Sequence, residues 1–229
     1  MNTAIIFDLD NTLIDRQLAY QKYAATLVDE FLVVDDDIEK ERTINDLIES
    51  DQNGYRSKTE FYQEMLDKYT WKEEKDISEL LDFWHSEFHK MTSLKPGALE
   101  VIKYIKSKQK DNSELKLGLI TNGSIYSQNA KIDHTGIRDY FDTIIVSGTV
   151  KINKPDKRIF DMALRELNIS AGKSFYIGDH PEKDILGAEN AGITGIWMKH
   201  FYSWPKDQKE PEYTVNDHYE LMDLLREIL

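Results

Sequence analysis

Short aliphatic runs recur along the chain, separated by amphipathic stretches. "AIIF" at residues 4–7, "LGLIT" at 117–121, "TIIVS" at 143–147, "SFYIG" at 174–178 and "GIWM" at 195–198 are apolar on consecutive positions rather than alternate ones. Such runs predict strands buried on both faces, the habit of a mostly parallel sheet. Between them, residues 97–109, 125–133, 155–167 and 181–191 carry apolar residues at helical spacing, and Pro96, Pro155 and Pro181 stand where a helix can begin. Strands alternating with helices predict an α/β fold with a doubly wound, Rossmann-like sheet.

Between residues 15 and 93 the pattern changes. Strand-like runs vanish, Gly54 is the clearest breaker, and apolar residues recur three and four apart, as in Phe61, Met65, Leu66 and Tyr69 or Leu80, Leu81, Trp84 and Phe88. This predicts bundle helices with one buried face each. The expected organisation is a core of residues 1–15 and 93–229 with a helical domain of residues 16–92 inserted into it. Lys- and Glu-rich pieces such as "WKEEKD" read as solvated helix ends, and no internal repeat or low-complexity segment is present.

Composition narrows the function classes. The 229 residues are 40% hydrophobic and 11% aromatic, which suits a folded chain, and the net charge of −13 argues against nucleic acid as a partner because phosphate backbones need clustered Lys and Arg. The absence of Cys excludes disulfides, thiol nucleophiles and Cys-ligated zinc. "MNTAIIFD" has no basic region leading into a long apolar stretch, and no run approaches a membrane span, so a cytoplasmic protein with no membrane partner is expected.

Candidate chemistry collects at strand ends. "IIFDLDNTLID" places Asp8 and Asp10 directly behind the first predicted strand, where alternate carboxylates crowd like charges. All strands of a parallel sheet end on one edge, so loops distant in sequence meet there. The same edge would receive Thr121, Asn122 and Gly123 after the second strand, Lys154 and Pro155 downstream of the third, and Asp179 and Asp184 after the fourth. Several carboxylates, one ammonium and one hydroxyl form the set that a magnesium ion and a phosphate require.

Taken in order and in these strand contexts, "DLDNT", "ITNG", "KP" and "GDHPEKD" resemble the four motifs of the haloacid dehalogenase-like (HAD) superfamily, in its magnesium-dependent phosphatase branch. The resemblance covers the core on both sides of the insert, which matches in kind as a helical cap. It implies Asp8 as the nucleophile that forms an aspartyl-phosphate, and Asp10 as general acid and then base. Thr12 would hold the loop and set Asp10. Thr121, the backbone N–H groups after it at Asn122, and Lys154 would bind the phosphoryl group. Magnesium would sit on Asp8, Asp179 and the Asp10 backbone carbonyl, with Asp184 behind them orienting a metal-bound water or Lys154. Lys151 is a rival to Lys154, but the Pro following Lys154 fits the lysine motif better. His180 is expected to be a loop residue or substrate neighbour, since magnesium prefers oxygen. Asp10 and Asp179 also separate this chain from the dehalogenases that the phosphatases resemble, which lack the second acid and use no metal.

A small phosphorylated metabolite is the substrate expected from the resemblance: a nucleoside monophosphate, sugar phosphate or phosphoglycolate. Tyr20, Tyr23 and Arg56, with Lys58, are the cap residues considered for specificity, against a bland reading of packing or solvent exposure. Two alternatives stand beside the phosphatase: a phosphomutase of the β-phosphoglucomutase type, and a non-catalytic binding protein on the same fold. A monomer or small homo-oligomer is expected, and the aromatic cluster "HFYSWP" at residues 200–205 is expected to pack on the C-terminal helix.

Overall fold

The computed structural model describes residues 2–229. In chain order the elements are β1 (Thr3–Phe7), α1 (Arg16–Phe31), α2 (Asp37–Asp51), α3 (Lys58–Lys68), α4 (Ile77–Glu87) and α5 (Ala98–Asp111). There follow β2 (Leu115–Thr121), α6 (Ile125–His134), β3 (Thr143–Val146), α7 (Ser147–Val150), α8 (Lys157–Leu167) and β4 (Ser174–Gly178). A π-helical turn at Pro181–Leu186 leads into α9 (Gly187–Asn190), and β5 (Thr194–Met198), β6 (Tyr213–Val215) and α10 (His218–Ile228) complete the chain. The chain divides into two compact units, residues 1–14 with 94–229, and residues 15–93.

The larger unit is the predicted α/β domain. Its six strands run in the order β3-β2-β1-β4-β5-β6, every pairing parallel. Strand side chains alternate between faces, so Ile5 and Phe7 enter one apolar core while Ala4 and Ile6 enter another. The first core is closed by α5 through Val101, Ile102 and Ile105 and by α10 through Leu221 and Leu225. The second is closed by α8 through Ile159, Phe160, Ala163, Leu164 and Leu167. Chain order reverses about β1, with β2 on one side and β4 on the other, which makes the C-terminal ends of β1 and β4 the crevice where doubly wound sheets place their ligands.

Three local expectations shift. The helices near Pro96 and Pro155 begin two residues later than the prolines, behind Gly97 and Asp156 as N-caps, whereas Pro181 does open its turn. β6 has only three residues and gave no strand signal. The aromatic cluster lies on β5 and the loop after β4: Trp204 is 5.3 Å from Trp197 and Tyr202 is 4.5 Å from His180, ring centre to ring centre.

The smaller unit is built from α1–α4. Each of its helices has a capping side chain: Asp15, Asp36, Ser57 and Asp76, the last in a reciprocal capping box with Glu79. Its core holds Tyr20, Tyr23, Leu27, Val28, Phe61, Tyr62, Met65, Leu80, Trp84 and Phe88. No helix among the described residues is long and apolar enough to cross a membrane.

One buried group makes the larger unit sensitive to acid. His218, at the start of α10, is 2% exposed, and its Nε2 finds no hydrogen-bond partner among the described residues. Burial, with Lys95 adding to it and Asp217 opposing, lowers its pKa from 6.5 to about 4. The folded state therefore keeps the ring neutral while the unfolded chain takes a proton first, so stability falls as pH drops from 6.5 toward 4. At roughly 1.4 kcal/mol per unit, wild type should lose about 2 kcal/mol more than His218→Leu between pH 6.5 and about pH 5. Chemical denaturation of both proteins across that range measures the difference.

Candidate active site

Asp8 extends β1 by one residue, its N–H donating to the Ile177 carbonyl of β4 at 2.9 Å. The chain then turns sharply. Asn11 adopts a left-handed conformation (φ 63°), and the Leu9 carbonyl accepts from the N–H groups of Leu13 and Ile14, both at 2.9 Å. Backbone bonds thus close this loop. Thr12, expected to hold the loop and set Asp10, is fully buried beneath it, and its hydroxyl finds no hydrogen-bond partner among the described residues.

Lys154 is the centre of the site. It is 4% exposed, while its rival Lys151 lies exposed. Its ammonium donates to Asp8 Oδ1 at 2.6 Å, Asp184 Oδ1 at 2.6 Å and the Tyr176 hydroxyl at 2.8 Å, which uses all three of its protons. Although burial pulls the Lys154 ammonium down, the Asp184 and Asp8 carboxylates hold its pKa well above the usual lysine value. Asn122 fastens the same loop: its amide donates to the Lys154 carbonyl at 3.0 Å and accepts from the Lys154 N–H at 2.9 Å. The Asn122 side chain is therefore committed to the Lys154 backbone.

Asp184 comes from the π-helical turn, a feature that often marks functional sites. Its Oδ2 accepts from the His180 N–H at 3.0 Å, and Gly178 leaves the room it occupies, since a Cβ there would lie 2.5 Å from the Asp184 carboxyl. His180 caps the turn, its Nδ1 accepting from the N–H groups of Glu182 at 3.2 Å and Lys183 at 3.3 Å. The Asp179 backbone is held by the Trp197 indole, which donates to its carbonyl at 2.9 Å.

Carboxylate oxygens of Asp8, Asp179 and Asp184 lie within 4.8 Å of one another, all three residues buried. Burial pushes the Asp8 carboxyl up to about 7, with Lys154 opposing and Asp184 and Asp10 adding to the rise. Burial likewise raises Asp179 well above the usual carboxylate range, reinforced by Asp184 and Asp8. One ammonium against three buried carboxylates leaves uncompensated negative charge on hard oxygen donors, a set whose chemistry fits a divalent cation of the magnesium type.

Asp10 points elsewhere. Its carboxylate accepts from Lys131 Nζ at 2.8 and 2.7 Å and from Gln128 Nε2 at 2.9 Å, both on α6, and Gln128 also donates to the Thr121 hydroxyl. Of the residues singled out from sequence, Asp8, Thr121, Lys154, Asp179 and Asp184 converge at the ends of β1, β2 and β4 and the loop before α8, with Asp10 beside them. Gln128, Lys131 and Tyr176 were not foreseen. Tyr176 lies inside an apolar strand run, and residues 125–133 carry apolar residues at helical spacing, so neither stretch signals a polar site residue.

The residues considered for specificity all lie in the helical unit. Tyr20 and Tyr23 are 3% and 1% exposed in its core, Tyr23 sharing a 2.6 Å hydrogen bond with the Tyr62 hydroxyl. Arg56 is paired with Glu64 and Ser50. Arg16 and Lys58 both bind the buried carboxylate of Asp51, with the Lys58 ammonium 4.5 Å from the Trp84 ring centre. These contacts follow the packing reading for the tyrosines and account for Arg56 within the unit.

The family model for haloacid dehalogenase-like hydrolases matches residues 5–198. A pyrimidine 5′-nucleotidase of Escherichia coli is 36% identical over 131 residues, which is 57% of this chain and 56% of that relative, so the match spans little more than half of either. A glyceraldehyde 3-phosphate phosphatase of Methanocaldococcus jannaschii is 27% identical over 234 residues, covering 100% of this chain and 99% of the relative. Among solved structures, a putative HAD-hydrolase from Bacillus subtilis bound to magnesium superposes with a TM-score of 0.72 at 23% identity, covering 97% of this chain and 98% of that one, a likeness of fold.

Proposed function

The chain belongs to the haloacid dehalogenase-like hydrolases, and we propose that within that family it is a magnesium-dependent phosphatase acting on a small phosphomonoester through an aspartyl-phosphate at Asp8. The observation that carries this reading is the Lys154 ammonium held 2.6 Å from Asp8 inside a buried cluster of three carboxylates. A lone carboxylate nucleophile repels a phosphate dianion, whereas this arrangement provides a cation and donors around the point of attack.

The chain's own groups divide the work as follows. Asp8 attacks phosphorus and the P–O bond to the alcohol breaks, Asp10 delivering a proton to the departing oxygen. Water then attacks the phosphoryl group on Asp8, Asp10 takes its proton, and inorganic phosphate leaves with Asp8 restored. The Thr121 hydroxyl donates to the phosphoryl oxygens, and Lys154, its protons taken by Asp8, Asp184 and Tyr176, contributes its positive charge beside them through both halves. Magnesium would be held by Asp8 and Asp179, with Asp184 alongside, and would supply positive charge against the phosphoryl oxygens.

Relatives named for pyrimidine nucleotides, glyceraldehyde 3-phosphate and phosphoserine support a small phosphorylated metabolite as substrate, without choosing among them. A panel of pyrimidine nucleoside monophosphates, glyceraldehyde 3-phosphate, phosphoserine, sugar phosphates and phosphoglycolate, assayed for phosphate release with magnesium and with EDTA, tests the reading. Release that requires magnesium is the expected result, and the ranking names the substrate class. Isomerisation of a sugar phosphate without net release would replace the phosphatase with a mutase.

A further inference from the structure

Helix α6 buries two polar residues beside Ile132 while leaving apolar ones in solvent. Ile125 and Tyr126 are 50% and 57% exposed, while Gln128 and Lys131 are 2% and 3% exposed. A buried lysine in a helix interior is costly unless its charge is fully matched. Lys131 is matched: its ammonium donates to both oxygens of Asp10 at 2.8 and 2.7 Å and to Gln128 Oε1 at 2.8 Å. That last bond fixes the Gln128 amide, because the oxygen faces Lys131 and both amide protons are turned toward Asp10 Oδ2 and Thr121 Oγ1. Accepting from Gln128 leaves the Thr121 hydroxyl its own proton to donate. Space for this arrangement comes from Gly123, where a Cβ would lie 2.9 Å from the Gln128 side chain.

We propose that Lys131 and Gln128 are positioning residues that hold the Asp10 carboxylate and the Thr121 hydroxyl in one fixed cradle, setting the proton-transferring group and a phosphoryl donor relative to each other. The inference rests on the phosphatase reading for the roles of Asp10 and Thr121, while the cradle stands on its own geometry. Neither cradle residue falls within the four short motifs that suggested the chemistry, and their spacing of three places both on one face of α6.

A misplaced Asp10 weakens proton delivery to the leaving oxygen, so the loss must depend on how much help that oxygen needs. For Lys131→Met, kcat/KM for an alkyl phosphate is expected to fall about 100-fold, and for p-nitrophenyl phosphate, whose anion leaves unaided, less than about tenfold, whereas Gln128→Met, which also loosens Thr121, should lose rate on both. Inhibition by inorganic phosphate should stay within about threefold for Lys131→Met, and Lys131→Arg should recover much of the alkyl phosphate rate. Equal losses on both substrates in folded Lys131→Met, or none, would overturn the positioning role. Asp10→Asn run in parallel separates the two claims: if wild type turns over and Asp10→Asn does not, the phosphatase reading holds whatever Lys131 does. Crystal structures of wild type and Lys131→Met add a readout independent of turnover. The Asp10 carboxyl should leave its wild-type position in the variant, and an unmoved Asp10 would overturn the cradle even in protein that released no phosphate.

Discussion

Asp8→Asn is expected to lower phosphate release by at least about 10⁴-fold while leaving the metal-free protein no less stable than wild type. The two effects share one cause. Asp8 sits among Asp179 and Asp184 in a buried cluster, and burial holds its carboxyl up at about 7. The folded state thus disfavours the charge that the chemistry needs as a nucleophile. An amide of the same shape removes that charge and the repulsion, and its oxygen can still accept from Lys154. Melting in EDTA and steady-state phosphate release, measured on the same preparations, check both halves. A variant that was inactive only because it had unfolded would not meet the expectation.

Lys154→Met should be damaging in both respects. Removing one partner of a buried ion pair costs about 3–5 kcal/mol, because the group left behind keeps its desolvation penalty without its partner. Here two carboxylates lose the same ammonium, since Asp8 and Asp184 each lie 2.6 Å from Lys154 Nζ. Tyr176 and the Asn122 bonds remain, so the loop is expected to hold its course while the electrostatics fail. Activity should fall by about 10²–10³-fold or more, the scale set by losing a fixed group that stabilises a developing oxyanion. Urea denaturation with and without magnesium should show a larger stability loss without it, because a cation bound to the carboxylates takes over part of the neutralisation. An equal loss in both conditions would indicate that the carboxylates do not bind the metal.

Strand-end residues were legible in the sequence because a carboxylate right after a fully apolar strand has no packing explanation. The parallel sheet then brings Asp8 and Asp179 to neighbouring strands, β1 and β4, on either side of the point where chain order reverses. Lys154 was separable from Lys151 by its following Pro, and burial divides them in the structure. What the sequence hid was polar burial. Hydrophobic periodicity assumes that apolar residues mark the inner face, and α6 breaks that assumption with Gln128 and Lys131 inside and Ile125 and Tyr126 outside. Tyr176 was hidden the opposite way: it belongs to an apolar strand, yet its hydroxyl reaches Lys154 and the Ile120 carbonyl at 2.8 and 3.2 Å. In the helical unit, Tyr20 and Tyr23 are aromatic residues near the first motif that sequence alone leaves open to substrate contact, and their rings pack within the unit's core, Tyr23 lying 4.9 Å from Trp84 and 5.8 Å from Phe88 between ring centres. β6 escaped because three residues are too few to establish a period.

The central claim is that Asp8 carries the phosphoryl group, and trapping that intermediate tests it most directly. Wild type mixed with magnesium and the preferred substrate from the panel, quenched in acid within the first turnover, would be digested and the peptide containing Asp8 analysed by mass spectrometry. The account predicts a phosphoryl group on Asp8 that hydroxylamine removes and that Asp8→Asn never acquires. Phosphate release that persisted in Asp8→Asn, with no phosphoryl group on the wild-type peptide, would contradict it.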